Sequence, residues 1–106
     1  MDKLKSIQDL CTNDCIMLTI HAAHRFEERG VKFSDVKLGI MKGEVIEDYP
    51  TDYPNPSVLI FGYTENNTPI HVVVGLGVNN IQIITAYFPS LDKWEGDFKT
   101  RKAAIK

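Results

Sequence analysis

Three residues set the chemistry this chain could perform: His21, Arg25 and Arg29, inside the run His21-Ala-Ala-His-Arg-Phe-Glu-Glu-Arg-Gly30. If that run is helical, four-residue steps place all three on one stripe of the helix surface. A titratable imidazole beside two permanently charged guanidiniums suits phosphate better than carbon chemistry. Metal-independent RNA cleavage needs a base for the 2′-hydroxyl, a cation for the crowded phosphorane and an acid for the leaving 5′-oxygen. Histidine near its ordinary pKa serves as base or acid, and arginine's fork matches two phosphate oxygens. His21 or His71 is then the base, Arg25 and Arg29 clamp phosphate, and Tyr87 or the other histidine is the acid. The competing role for Arg25 and Arg29 is fold glue, through pairs with Glu28, Glu44, Glu47 or Asp48.

The rest of the chain limits the alternatives. With 106 residues and a formal net charge of −2, it has the size of one domain, residues 1–106, and is no basic nucleic-acid coat. Charge is uneven, because Lys99, Arg101, Lys102 and Lys106 place four positive charges and no negative one in the last eight residues. Lys99, Arg101 and Lys102 are therefore the nucleic-acid-binding candidates of the C-terminal end. No apolar run reaches membrane-spanning length and the N-terminus has no signal-peptide core, so the expectation is a cytoplasmic protein without membrane contact.

Cys11, Cys15, His21 and His24 are the right ligand types for zinc. Only five residues separate Cys15 from His21, however, whereas such ligand pairs usually face each other across about a dozen. Neither a metal nor another cofactor is therefore expected, and the two cysteines read as small apolar residues on one helix face.

The elements that must hold these residues follow from periodicity. Leu4, Ile7 and Leu10 keep a helical rhythm, and Ile16, Leu18 and Ile20 alternate like a short strand. Thr19 caps a helix over His21–Arg29, and Gly30 stops it. Ser34 caps a second helix from Asp35 to about Lys42, closed by Gly43. Strands follow from Val45, over Ser57–Tyr63, Ile70–Leu76 and Ile81–Phe88, the last two joined through Gly77 and Asn79-Asn80. Residues 91–105 read as a terminal helix or arm anchored by Trp94 and Phe98. The fold class is thus α+β, two N-terminal helices on a three- to four-stranded antiparallel meander with one face open to solvent. An open face beside a basic arm is a shelf for an extended single RNA strand. In the last hairpin, a loop with an odd number of residues centred on 79 pairs His71 directly with Tyr87; an even loop puts them on opposite faces.

His21-Ala-x-x-Arg25-x-x-x-Arg29-Gly30-Val31, Gly43-Glu-Val-Ile-Glu47, Pro69-Ile-His71-Val-Val and Ile83-Ile-Thr-Ala-Tyr87 resemble, in this order, the domain-of-unknown-function family DUF4258. The similarity runs from about residue 18 to about residue 101. That family is similar to the RelE/ParE-like toxins. The resemblance implies a RelE-like fold, an endoribonuclease acting on messenger RNA alone or on the ribosome, and a cognate antitoxin as partner. RelE-like ribonucleases draw basic or tyrosine residues from the sheet and C-terminal segment. Here no lysine or arginine lies between Lys42 and Lys93, which moves the weight onto His21, Arg25 and Arg29. The alternative is a non-catalytic module that docks a protein or nucleic acid.

Overall fold

The computed structural model describes residues 2–102, so Lys106 lies outside the described residues. Three helices come first or are interleaved with one strand: α1 (Lys3–Thr12), β1 (Ile16–Leu18), α2 (Ile20–Arg29) and α3 (Phe33–Lys42). Four further strands follow, β2 (Glu44–Tyr49), β3 (Ser57–Tyr63), β4 (Pro69–Leu76) and β5 (Ile81–Tyr87). All five form one sheet in the order β1-β5-β4-β3-β2.

The helix pair and the meander are present, with two corrections. The Leu4 rhythm is a full helix, so three helices rather than two precede the meander. The sheet is mixed rather than purely antiparallel, because β1 runs parallel to β5 with Ile16 opposite Ile81. Of the two forms expected for residues 91–105, helix or arm, the described residues 91–102 take the arm, built of turns and pinned by an isolated bridge between Trp94 and Arg101.

Local chemistry explains the helix ends. The Thr19 side chain accepts from Ala22 N, and Gly30 adopts the left-handed conformation (φ 68°) that closes α2 cheaply. Ser34 is not a cap. α3 begins two residues earlier than expected, at Phe33, behind Lys32, which makes no side-chain capping bond.

The core lies between the helices and one sheet face. Ile7 and Cys11 of α1, Phe26 of α2, and Val36 and Ile40 of α3 pack against Val58, Ile60, Ile70, Val72, Val74, Ile81, Ile83 and Ala86. α3 sits so close that a Cβ on Gly62 would lie 2.8 Å from the Cα and carbonyl oxygen of Gly39.

The opposite face carries two cross-strand rows. Phe61 stands opposite both Glu44 and His71, and His71 opposite Tyr87; Leu59 stands opposite both Glu47 and Val73, and Val73 opposite Thr85. Such opposed side chains share a face. This face is not left open as expected. The arm folds over it, and Leu59, His71 and Trp94 are all fully or almost fully buried.

Candidate functional site

His71 and Tyr87 meet by an indirect route. The β4–β5 loop holds four residues, Gly77 to Asn80, a length whose parity alone sets them on opposite faces. The register then shifts between Val73 and Val74, where Val73 faces Thr85 but Val74 faces Ile83. This bulge at Ile84 adds one residue to β5 and restores the His71–Tyr87 pairing.

His71 is 0% exposed in the centre of the sheet. Its Nε2 lies 2.7 Å from the Phe98 carbonyl, and its Nδ1 lies 3.3 Å from the Tyr87 hydroxyl. A carbonyl only accepts, so Nε2 carries the proton and bare Nδ1 accepts from the Tyr87 hydroxyl. The Trp94 ring meets the imidazole edge-on at 4.4 Å, and Phe61 does so at 5.7 Å. Burial is the main cause that pushes the His71 pKa down, against the opposing pull of the Phe98 bond and the Glu47 charge. The imidazole is a neutral, directional acceptor rather than a surface cation. Burial also raises the Tyr87 hydroxyl.

Beside this pair the arm is fastened to β2 by charge. Arg101 donates from Nε to Glu47 Oε2 at 2.7 Å and from Nη2 to Oε1 at 3.0 Å, and its guanidinium lies 4.7 Å from the Trp94 ring centre. The Tyr49 hydroxyl also donates to Glu47. The Arg101 bonds hold the Glu47 carboxyl below its ordinary range, while Glu47 raises the Arg101 pKa further. Lys99 pairs with Glu44 at 2.8 Å and Lys3 with Asp48 at 2.7 Å. Of the carboxylates that could have tied down Arg25 and Arg29, Glu44, Glu47 and Asp48 are thus taken by other cations, and Glu28 is left to Arg25.

Arg29 reaches the site from the end of α2. One of its terminal nitrogens, Nη1, donates to Thr85 Oγ1 and to the Ala86 carbonyl, both at 3.0 Å. β1 pairs with β5 only as far as Ile83, so Arg29 binds β5 beyond that pairing, and among the described residues no hydrogen bond engages its other guanidinium nitrogens. Arg29, Lys93 and Arg101 then line one cleft of about 390 Å³ with Tyr87, Phe88, Ser90 and Trp94. Among the described residues Lys93 makes no ion pair. The cleft is thus lined by three cationic side chains and no carboxylate, with Tyr87 on its wall.

The residues singled out in the sequence divide accordingly. Arg29, Tyr87 and Arg101 line the cleft, and His71 backs it from beneath. His21 and Arg25 are exposed further up α2, where Arg25 comes within 4.0 Å of Glu28. At 1.5 Å per residue the stripe from His21 to Arg29 is about 12 Å long, too extended for both ends to meet one phosphate. Lys99 is occupied by Glu44, and Lys102 is exposed at the end of the described arm. Lys93 and Ser90 were not picked out. Their signal was faint: Lys93 is the first cation after a fifty-residue stretch without one (residues 43–92). Among the described residues no three His, Cys, Asp or Glu side chains gather as a metal site, so Cys11, Cys15, His21 and His24 do not assemble a tetrad. No described helix is long and apolar enough to cross a membrane.

The fold and cleft define a small α+β domain with a cationic pocket built at one end of a mixed sheet. The family Domain of unknown function (DUF4258) matches residues 18–88, more than half of the chain, and the protein belongs to that family. No curated protein and no solved structure matches it.

Proposed function

We propose that the cleft binds the phosphodiester backbone of RNA and cleaves it without a metal, as a RelE-like toxin-type domain or a descendant of one. The observation that carries this reading is the convergence of Arg29, Lys93 and Arg101 on a cleft that Tyr87 also lines, its hydroxyl hydrogen-bonded to buried His71. Arg29 and Arg101 clamp non-bridging phosphate oxygens. The Tyr87 hydroxyl points its proton at His71 Nδ1 and its oxygen lone pairs toward the ligand. As the 2′-oxygen attacks phosphorus, its proton passes to Tyr87 while the Tyr87 proton passes to His71. The bond from phosphorus to the 5′-oxygen breaks, and the Lys93 ammonium protonates that oxygen. The products are a 2′,3′-cyclic phosphate and a 5′-hydroxyl. Arg25 and Lys102 serve flanking phosphates, and the setting is cytoplasmic RNA, free or on the ribosome, with an antitoxin as the natural restraint.

Incubating the purified chain with RNA, with and without ribosomes and in the presence of EDTA, tests this. Cleavage with cyclic-phosphate ends, lost in Arg29→Ala and Tyr87→Phe, is the expected result; no cleavage in any format removes the enzyme. The second reading, a non-catalytic RNA- or protein-docking module, draws on the burial of His71 and on the Glu47 grip on Arg101. Binding of RNA without cleavage would select it.

A further inference from the structure

The arm lies beyond residues 18–88, the span that matches the family, yet it supplies the atom that decides how His71 is protonated. We infer that Phe98 is a positioning residue, whose backbone carbonyl, aimed by a left-handed backbone, locks His71 as the Nε2–H tautomer and so presents Nδ1 to Tyr87. Its catalytic consequence rests on the ribonuclease reading; the tautomer itself does not.

Phe98 has φ 56°, a conformation a bulky L side chain rarely adopts. The turn around it is specified by its neighbours. Phe98 N donates to the Glu95 carbonyl at 2.9 Å, Glu95 N to the Thr100 carbonyl at 2.8 Å, and Lys102 N to the Lys93 carbonyl at 2.9 Å. The Asp97 carboxylate accepts from Lys99 N at 2.9 Å, from Thr100 N at 3.1 Å and from the Thr100 hydroxyl at 3.0 Å. These bonds over-determine the turn, which is the condition under which an uncommon backbone conformation persists, often where function needs it. The Glu44–Lys99 and Glu47–Arg101 pairs then hold the turn down on β2. What this arrangement delivers is one carbonyl, 2.7 Å from Nε2 in a site where His71 is 0% exposed.

The lock has two parts. A carbonyl cannot donate, so a proton on Nδ1 instead would leave Nε2 and the Phe98 oxygen facing each other, two buried acceptors. The Trp94 and Phe61 rings, edge-on to the imidazole, block the flip that would exchange its edges. The polar groups around the ring complete the account: Tyr87 at Nδ1, and the Glu47 and Arg101 charges, which oppose each other in their effect on it.

Long-range proton–nitrogen correlation spectra of the full ¹⁵N-labelled chain read the tautomer directly. The chain has 3 histidines, so His21→Asn and His24→Asn variants assign the His71 signals. At neutral pH His71 should show a protonated Nε2 and a bare Nδ1 as one sharp species. Phe98→Gly keeps the carbonyl and tolerates the backbone, so its spectrum should match the native one. Phe98→Pro cannot reach positive φ and should give averaged nitrogen shifts. Asp97→Ala, on the exposed turn and outside the core, should speed exchange of the Nε2 proton with water by about tenfold or more. A native chain with Nδ1–H or averaged nitrogens overturns the inference, as does a native-like His71 spectrum in both Phe98→Pro and Asp97→Ala. A chain that cleaves no RNA yet shows the Nε2–H tautomer keeps this inference and loses the ribonuclease. RNA cleavage with an Nδ1–H His71 does the reverse.

Discussion

Acid should destabilise this protein through one histidine, and the size of the effect is bounded. His71 is 0% exposed and burial lowers its pKa. In the unfolded chain the same imidazole titrates near its ordinary value, about 6.5. Below that pH the unfolded state therefore holds more protons than the folded one, so stability falls as pH falls. An imidazole that stays neutral in the fold forfeits up to about 1.4 kcal/mol between pH ~7.5 and ~5.5, about three quarters of it in the lower unit. The depressed carboxyls act elsewhere. Glu47 and Asp97 have pKa values lowered from 4.5 and 3.8, so the stability they contribute is lost only as pH falls through still lower values. Urea unfolding at those two pH values, for the native chain and for His71→Gln, isolates the effect. Glutamine can still donate to the Phe98 carbonyl and accept from Tyr87 but does not titrate, while His21 and His24 are common to both chains. The native chain should lose about 1 kcal/mol or more over the interval, and the variant clearly less. A native chain equally stable at both ends, or an equal loss in His71→Gln, refutes the claim that this histidine is held neutral.

Other perturbations separate the packing from the chemistry. Trp94→Ala removes a ring that is 2% exposed and should cost about 3–5 kcal/mol in urea unfolding, while admitting water to His71 and flattening the acid slope just described. Gly62→Ala sets a methyl 2.8 Å from the Gly39 backbone, so α3 must lift from β3; a loss of about 1–3 kcal/mol should appear as a lower Tm, and an unchanged Tm would refute the close contact. Arg29→Ala deletes an exposed side chain and should change stability by less than about 1 kcal/mol, yet lower RNA cleavage by about a hundredfold; native rates would remove Arg29 from the site. RNA affinity should fall steeply with salt, and the logarithmic slope should be smaller by about one in Lys93→Ala, since each phosphate contact releases its own counterions.

The sequence made some of this legible and hid the rest for identifiable reasons. Thr19 and Gly30 announce α2 because capping is local chemistry, and Ser57–Tyr63 coincides with β3 because a run of β-branched and aromatic residues has few other uses. β1 was visible as a short alternation, but its parallel partner lies far downstream at Ile81–Ile83, and nothing in three residues names a distant partner. The His71–Tyr87 pairing could not be settled by loop length. Ile83 and Ile84 are the same residue type, so the sequence carries no mark of which one the bulge expels; packing decides it, burying Ile83 and leaving Ile84 47% exposed. The stripe of His21, Arg25 and Arg29 is real as periodicity, and of the three Arg29 lines the cleft. Helical spacing aligns side chains along a line, whereas a phosphate needs cations from different directions, which only tertiary contacts provide.

That geometry also resolves the scarcity of basic residues on the strands. A permanently charged side chain placed where His71 sits, wholly buried among aromatic rings, would carry its desolvation cost in every state of the fold, with or without a phosphate outside. The fold instead divides the work. Its strands contribute neutral, directional groups: His71, Thr85, Tyr87 and the Ala86 carbonyl. The charges come from the periphery, Arg29 at the end of α2 and Lys93 and Arg101 on the arm, where water still hydrates them until a ligand arrives. The β2 carboxylates Glu44 and Glu47 hold the arm without lining the cleft, so the positive field on its wall is opposed only from behind. The residues that match the family thus bring four of the five strands, β2 to β5, and one of the cleft's cations, and the segment after Phe88 brings the other two. Any anion chemistry of this chain depends on both halves being in place.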